Sequence, residues 1–229
     1  MKYWTWAQLS EKIERDLDTE DELFVTPAEL IGYANEAIDD IEKKIHTLCE
    51  DYFITRTSVP VVPGVEEIDL PTDIYANKIR EVIYVTGGQS FPAKSLKNWR
   101  KFARYEDNIV NNPGSTNFYQ YFVLNSVAGS PKLVLTPTPI ETGVLKIWYI
   151  RNANEIIDST SILDIPEAAT YVTKYCSVKI MQKELHPLLE SAKADLEAIL
   201  QDTIADLSEM FPNNETELEP DYTFYSESL

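Results

Sequence analysis

The sequence predicts an α+β protein: an antiparallel helical bundle of about four helices drawn from both chain ends, an inserted antiparallel β-domain, and an extended C-terminal tail. Three observations predict it. Apolar residues recur at helical spacing at both ends of the chain, and β-branched and aromatic runs separated by tight turns fill the middle. The last stretch, FPNNETELEPDYTFYSESL, has two prolines, five acidic residues and no basic one, a composition that cannot build a core. The expected domains are 1–51 with 158–210 as the bundle, 52–157 as the β-domain, and 211–229 as the tail.

Thr5 followed by Gln8 is a capping-box signature, and Trp6, Leu9, Ile13 and Leu17 then recur on one face, giving a first helix of about 12 residues. After the acidic linker 18–22, Thr26-Pro27-Ala28-Glu29 places Thr at the cap, Pro at the first helical position and Glu three residues on. From this start runs the stripe Leu30, Ala34, Ala37, Ile41, Ile45 and Leu48, with Asn35, Asp39, Glu42 and Lys43 on the opposite, polar face. Such a helix must dock, since one apolar stripe gains nothing in isolation.

Residues 52–62 are rich in Thr, Val and Ile and read as a strand leaving that helix. The stretch IDLPTD (68–73) reads as a short helical turn, and KIREVIYVT (78–86) as a strand that Gly87-Gly88 turns back into 89–93. SLKNWRKFARY (95–105) has Leu96, Trp99 and Phe102 at helical spacing and reads as a short basic helix. Its cations Lys97, Arg100, Lys101 and Arg104 form one stripe, a solvated face or a contact for an acidic neighbouring copy or tail component. Strands follow at 117–127, 133–136 and 144–150. Short turns join most of these five or six strands, which implies antiparallel pairing. Helix returns at Pro166, breaks at His186-Pro187 and resumes from Leu188 to Leu207.

The net charge of −18 is unevenly placed. Residues 1–56 carry 14 acidic and 6 basic groups, 57–157 carry 9 and 10, and 158–229 carry 15 and 4. An acidic surface repels phosphate, which argues against a protein that grips DNA but not against one lining a DNA passage. No apolar run approaches a membrane span, and the N-terminus MKYWTWAQLSEK lacks the apolar core of a signal peptide, so a protein that is neither exported nor membrane-bound is expected. Cys49 and Cys176 fall at apolar helical positions and read as buried free thiols.

No catalytic constellation stands out. The seven glycines form neither common nucleotide-binding fingerprint, and there is no Gly-x-Ser-x-Gly elbow. His46 and Cys49 lie three residues apart on one helix but lack a third ligand, so no metal site is expected. No cofactor and no enzyme activity are expected. Tyr222, Phe224 and Tyr225 are unusual in a solubilising tail and, with Phe211 and Leu229, are candidates for docking on a partner.

The succession of segments carries a family likeness. TPAELIGYANEAIDDIEKKIHTLCEDYF, IDLPTDIYANKIREVIYV, FPAKSLKNWRKFARY, FYQYFVLN, PKLVLTPTPIETGVLKIWYIR and DIPEAATYVTKYCSVKIMQ, in that order, resemble the head-to-tail adaptor proteins of tailed bacteriophages. The likeness spans residues 20 to 208, and Leu70-Pro71-x-Asp73 before a strand and 133–139 followed by Gly143 are its most telling pieces. The resemblance implies a bundle with an inserted β-domain, assembled as a dodecameric ring under the capsid portal and passing DNA through its channel. The implied partners are the portal, tail or nozzle proteins and further copies of the chain, with no membrane. The implied location is the head-tail junction of the virion, reached from the host cytoplasm. The resemblance supplies no catalytic residues, and the aromatic acidic tail matches no general feature of the family. The rival readings are another virion ring, such as a head-completion or stopper protein, and an interaction scaffold unrelated to virions.

Overall fold

The computed structural model describes residues 3–17, 25–96, 98, 100, 119–124 and 131–210. Two compact units partition the chain, one of residues 1–50 and 153–229, the other of residues 51–152.

In the first unit, helix α1 (Trp6–Asp16) and helix α2 (Pro27–Leu48) both start at complete capping boxes, Thr5 with Gln8 and Thr26 with Glu29. Each box satisfies two of the backbone donors that a helix start leaves open. A 3-10 turn (Pro166–Ala168) leads into α3 (Ala169–Lys183), and α4 (Leu189–Met210) follows. Helix α3 packs against α1, α2 and α4. It buries Tyr171, Val172, Thr173, Cys176, Val178 and Ile180, residues that span most of its circumference. The extended segment before it pairs with the start of α1: Trp6 N–H donates to Ser161 C=O (2.8 Å) and Leu163 N–H to Trp4 C=O (2.9 Å).

Helix α3 ends at a residue in the left-handed region, Leu185 (φ 54°), and His186 N–H donates to Met181 C=O at 2.9 Å. That six-residue closure is a C-terminal cap usually built on glycine. Pro187 follows it, so the predicted break is where the helix stops.

The second unit is a seven-stranded, nearly closed, barrel-like sheet. Its strands are β1 (Ile54–Val61), β2 (Glu67–Asp69), β3 (Ile74–Thr86), β4 (Gln89–Ser95), β5 (Tyr119–Leu124), β6 (Lys132–Thr136) and β7 (Gly143–Arg151), in the order β1-β7-β3-β4-β5-β6-β2. Tyr84, Leu133, Leu135, Leu145 and Ile147 are fully buried at its centre. At roughly 1.5–3 kcal/mol for each buried side chain, this core has the size to hold the sheet. Strand β3 is broken by consecutive positive-φ residues, Ala76 (φ 46°) and Asn77 (φ 57°), where its pairing with β7 shifts register between Ile74 and Ile79. Gly143 is required by close approach: a Cβ there would lie 2.5 Å from Val85 C=O and 2.6 Å from Tyr84.

The predicted fold class is therefore corrected. The sequence reading expects a helical bundle carrying an inserted antiparallel β-domain; the described residues instead form a nearly closed, barrel-like seven-stranded sheet and four helices, of which α3 packs against the other three. The bundle expectation treats the four apolar stripes as equivalent, whereas α3 is buried on more than a stripe. The sheet is not wholly antiparallel either, because β4 and β5 pair in parallel. Their connection, residues 96–118, is long enough for the crossover a parallel pair needs. Residues 67–69, which overlap the helical turn expected at 68–73, form a strand against β6, and Ser95 ends β4 and does not open a helix.

Candidate assembly surfaces

Charge separates cleanly between the two units. Residues 1–50 and 153–229 hold 29 acidic and 9 basic groups (−20), and residues 51–152 hold 9 and 11 (+2). Several cations of the helical unit are already spent on it: Lys174 pairs with Asp195 (3.1 Å), Lys179 with Glu36 (2.8 Å) and Lys183 with Glu29 (2.8 Å). The Lys183 ammonium, together with the Thr26 N–H, holds the Glu29 carboxyl down at about 2. Lys179 lowers Glu36 in the same way. Helix α4 carries six acidic residues and one lysine, and Glu197, Asp202, Asp206 and Glu209 are exposed along it.

Two residues assigned by spacing to the polar face of α2 have a different job. Asn35 and Glu42 turn toward the extended segment that precedes α3. Asn35 Nδ2 donates to Ile156 C=O (3.0 Å) and its Oδ1 accepts from Ile156 N–H (2.8 Å). The buried Glu42 Oε1 accepts from Ala153 N–H at 2.7 Å and lies 3.3 Å from His46 Nε2. Tyr171 O–H donates to Asp40 at 2.6 Å, and burial with that carboxylate pushes its pKa well up. No period in the sequence marks these contacts, because the segment that covers α2 is over a hundred residues away in the chain.

Both cysteines are buried and neither is in a disulfide, as expected; burial pushes the Cys176 thiol up to about 12 and raises that of Cys49. His46 faces Glu42, and among the described residues no group of three or more His, Cys, Asp or Glu is placed to hold a metal ion. No helix among the described residues is long and apolar enough to cross a membrane.

Of the predicted contact cations, Arg100 is exposed, with its N–H donating to Asn98 Oδ1 at 3.0 Å. Lys97, Lys101 and Arg104, and the tail residues Phe211, Tyr222, Phe224, Tyr225 and Leu229, lie outside the described residues. A surface that sequence reasoning missed sits on the β unit, where turns 62–66 and 137–142 meet and leave Val62, Val65 and Ile140 exposed. The signal available was three aliphatic residues inside turn sequences.

The described surfaces are thus an acidic helical unit and a near-neutral sheet with an apolar end, both suited to meeting other proteins. The family model for the SU10 adaptor protein matches residues 4–216, and the chain belongs to that family, one of bacteriophage structural adaptors. No curated protein matches the chain. Membership implies a virion protein that associates with other virion proteins.

Proposed function

We propose that the chain is one subunit of a dodecameric ring at the head-to-tail junction, linking the portal to the tail and enclosing an acidic channel for DNA passage and ejection. The observation that carries this reading is the charge separation, −20 on one unit and +2 on the other, in a member of the adaptor family. Duplex DNA carries a negative charge about every 1.7 Å, and a cationic wall would bind it by releasing counterions. A carboxylate wall lets it slide. Asp202, Asp206 and Glu209, which fall on one face of α4, face that channel in this reading.

The near-neutral segment 52–157 serves neighbours and tail or nozzle proteins, with Lys97, Arg100, Lys101 and Arg104 meeting acidic surfaces there. The tail 211–229 docks on the portal through Phe211, Tyr222, Phe224, Tyr225 and Leu229. Segments 1–51 and 158–210 supply the ring wall. The ring works in the virion after assembly in the host cytoplasm.

Electron microscopy of the purified protein, alone and mixed with the portal encoded by the same genome, tests this. Dodecameric rings capping the portal are expected. Dispersed monomers indifferent to the portal would return the chain to the reading of a scaffold unrelated to virions. Removing residues 211–229 should abolish portal binding, and binding that survives the deletion would refute the role given to the tail.

A further inference from the structure

We propose that the β unit carries both halves of a head-to-tail contact between copies: the apolar end formed by Val62, Val65 and Ile140 seats in a cation-rimmed groove at the other end of the same sheet in the next copy. The proposal rests on the ring reading above and names the surfaces that would join its subunits.

The first half is built from turns that fix one another. Gly64 N–H donates to Pro139 C=O at 2.8 Å, which ties turn 62–66 to turn 137–142. Tyr84 O–H donates to Glu141 C=O, and the Thr86 hydroxyl donates to the Glu141 carboxylate at 3.0 Å, which ties the second turn to the β3–β4 hairpin. On this braced end Ile140 is 84% exposed, Val62 58% and Val65 44%. Single exposed aliphatics are ordinary, but three on mutually bonded turns form a patch of the kind that marks a protein contact. Residues 62–67 and 137–142 (VPGVEE and PTPIET) include three glutamates and no cation. Glu67 is paired with Lys132, leaving Glu66 and Glu141 as the acidic rim.

The second half lies where β3 starts, β4 ends and β5 runs past them. A groove of about 430 Å³ is lined there by Ile79, Leu96, Phe122 and Val123, with Lys78 and Arg80 beside them. Both cations are held in place, Arg80 by Asp51 (2.6 Å) and Lys78 over the ring of Tyr75 (5.4 Å).

The two surfaces match in kind: an aliphatic centre against a largely apolar groove, and the acidic rim against the Lys78 ammonium, Arg80 being engaged by Asp51 as Glu67 is by Lys132. This complementarity within one chain points to a second copy as the occupant. Strand β3 runs from the groove to the apolar end and β4 returns, so the halves sit at opposite ends of the sheet. A contact between unlike surfaces is heterologous, and such a contact propagates from copy to copy and closes into a ring when the rotation allows.

The test uses the full chain carrying Ile140→Cys mixed with the full chain carrying Leu96→Cys, under mild oxidation, read on a non-reducing gel beside electron micrographs. A disulfide-linked pair that forms in the mixture and not with either variant alone is expected. Glu141→Lys and Lys78→Glu should each weaken assembly roughly tenfold or more by placing like charges opposite one another, and mixing the two variants should restore it. Circular dichroism of each variant checks that it is folded. Rings that form normally with neither cross-link nor charge effect would overturn this contact and leave the ring reading standing. A folded wild-type protein that stays monomeric with and without the portal would overturn both.

Discussion

Replacing Asn35 with alanine should unfasten the extended segment from helix α2. Asn35 bonds both polar groups of Ile156, a residue only 1% exposed. Truncation leaves a donor and an acceptor in a place where water enters poorly, at roughly 1–3 kcal/mol for each unsatisfied group. Allowing for partial hydration of the gap, the total is about 2–4 kcal/mol. With a urea dependence of about 1–3 kcal/mol per molar, the unfolding midpoint followed by circular dichroism should fall by roughly 1–2 M with unchanged slope. Asn35→Asp separates the two bonds. The carboxylate still accepts from Ile156 N–H but offers nothing to Ile156 C=O, so about 1–3 kcal/mol is lost near neutral pH. Once protonated, the aspartic acid regains a donor, and the gap to wild type should narrow as the pH falls through the carboxyl range. An alanine variant within about 0.5 kcal/mol of wild type, or an aspartate variant equal to wild type at neutral pH, would refute the fastening role.

Gly143→Ala pushes a methyl group into Val85 C=O and the Tyr84 ring, and should destabilise the sheet by about 1–3 kcal/mol in thermal unfolding. Leu185→Gly relieves a left-handed backbone at an exposed position and should stabilise the helical unit by up to about 1 kcal/mol. Glu29 titrates at about 2 in the folded protein against an ordinary 4.5, so its stabilising effect is complete above 4.5 and lost as the pH falls from there toward 2. Lys183→Met should move the Glu29 titration, followed by NMR, back toward the ordinary value and shrink that loss. Cys49 and Cys176 should resist a thiol reagent at neutral pH in the native protein and both react on denaturation.

What could be read from the sequence was what is local. The Thr26 and Glu29 capping box formed as expected because all its partners lie within four residues. Strands β3 and β4 and the Gly87-Gly88 turn were readable because β-branched content and a glycine pair are signals along the chain. Strand β2 was misread because three residues with a single apolar member, Ile68, have no period; only β6 makes them a strand. The parallel pairing of β4 with β5 escaped for the same reason, since it depends on two segments that the sequence keeps 23 residues apart. Asn35 and Glu42 were placed only on the polar face opposite the stripe because a helical wheel shows what is polar and cannot show what arrives later to cover it. The family likeness held because it reads the order of whole segments, although the bundle with an inserted β-domain that it implied did not. The acidic character of the helical unit needed no folding at all to be seen, being a count.

The edges of the sheet have a consequence for how such a protein survives at the concentrations assembly demands. Arg151 N–H donates to Phe53 C=O, so with the unbroken register of β1 against β7 the odd-numbered residues of β1 bond inward and Arg56, Ser58 and Pro60 turn their backbone outward. Pro60 has no N–H to offer there, and Arg56 adds a charge. The other edge, β2, is only three residues long. Neither rim gives a stray strand enough rungs to climb on, which guards against sheet-to-sheet fusion and amyloid-like stacking. Contacts with other virion proteins are thereby left to shape and charge, which fit a bounded particle and not a fibre.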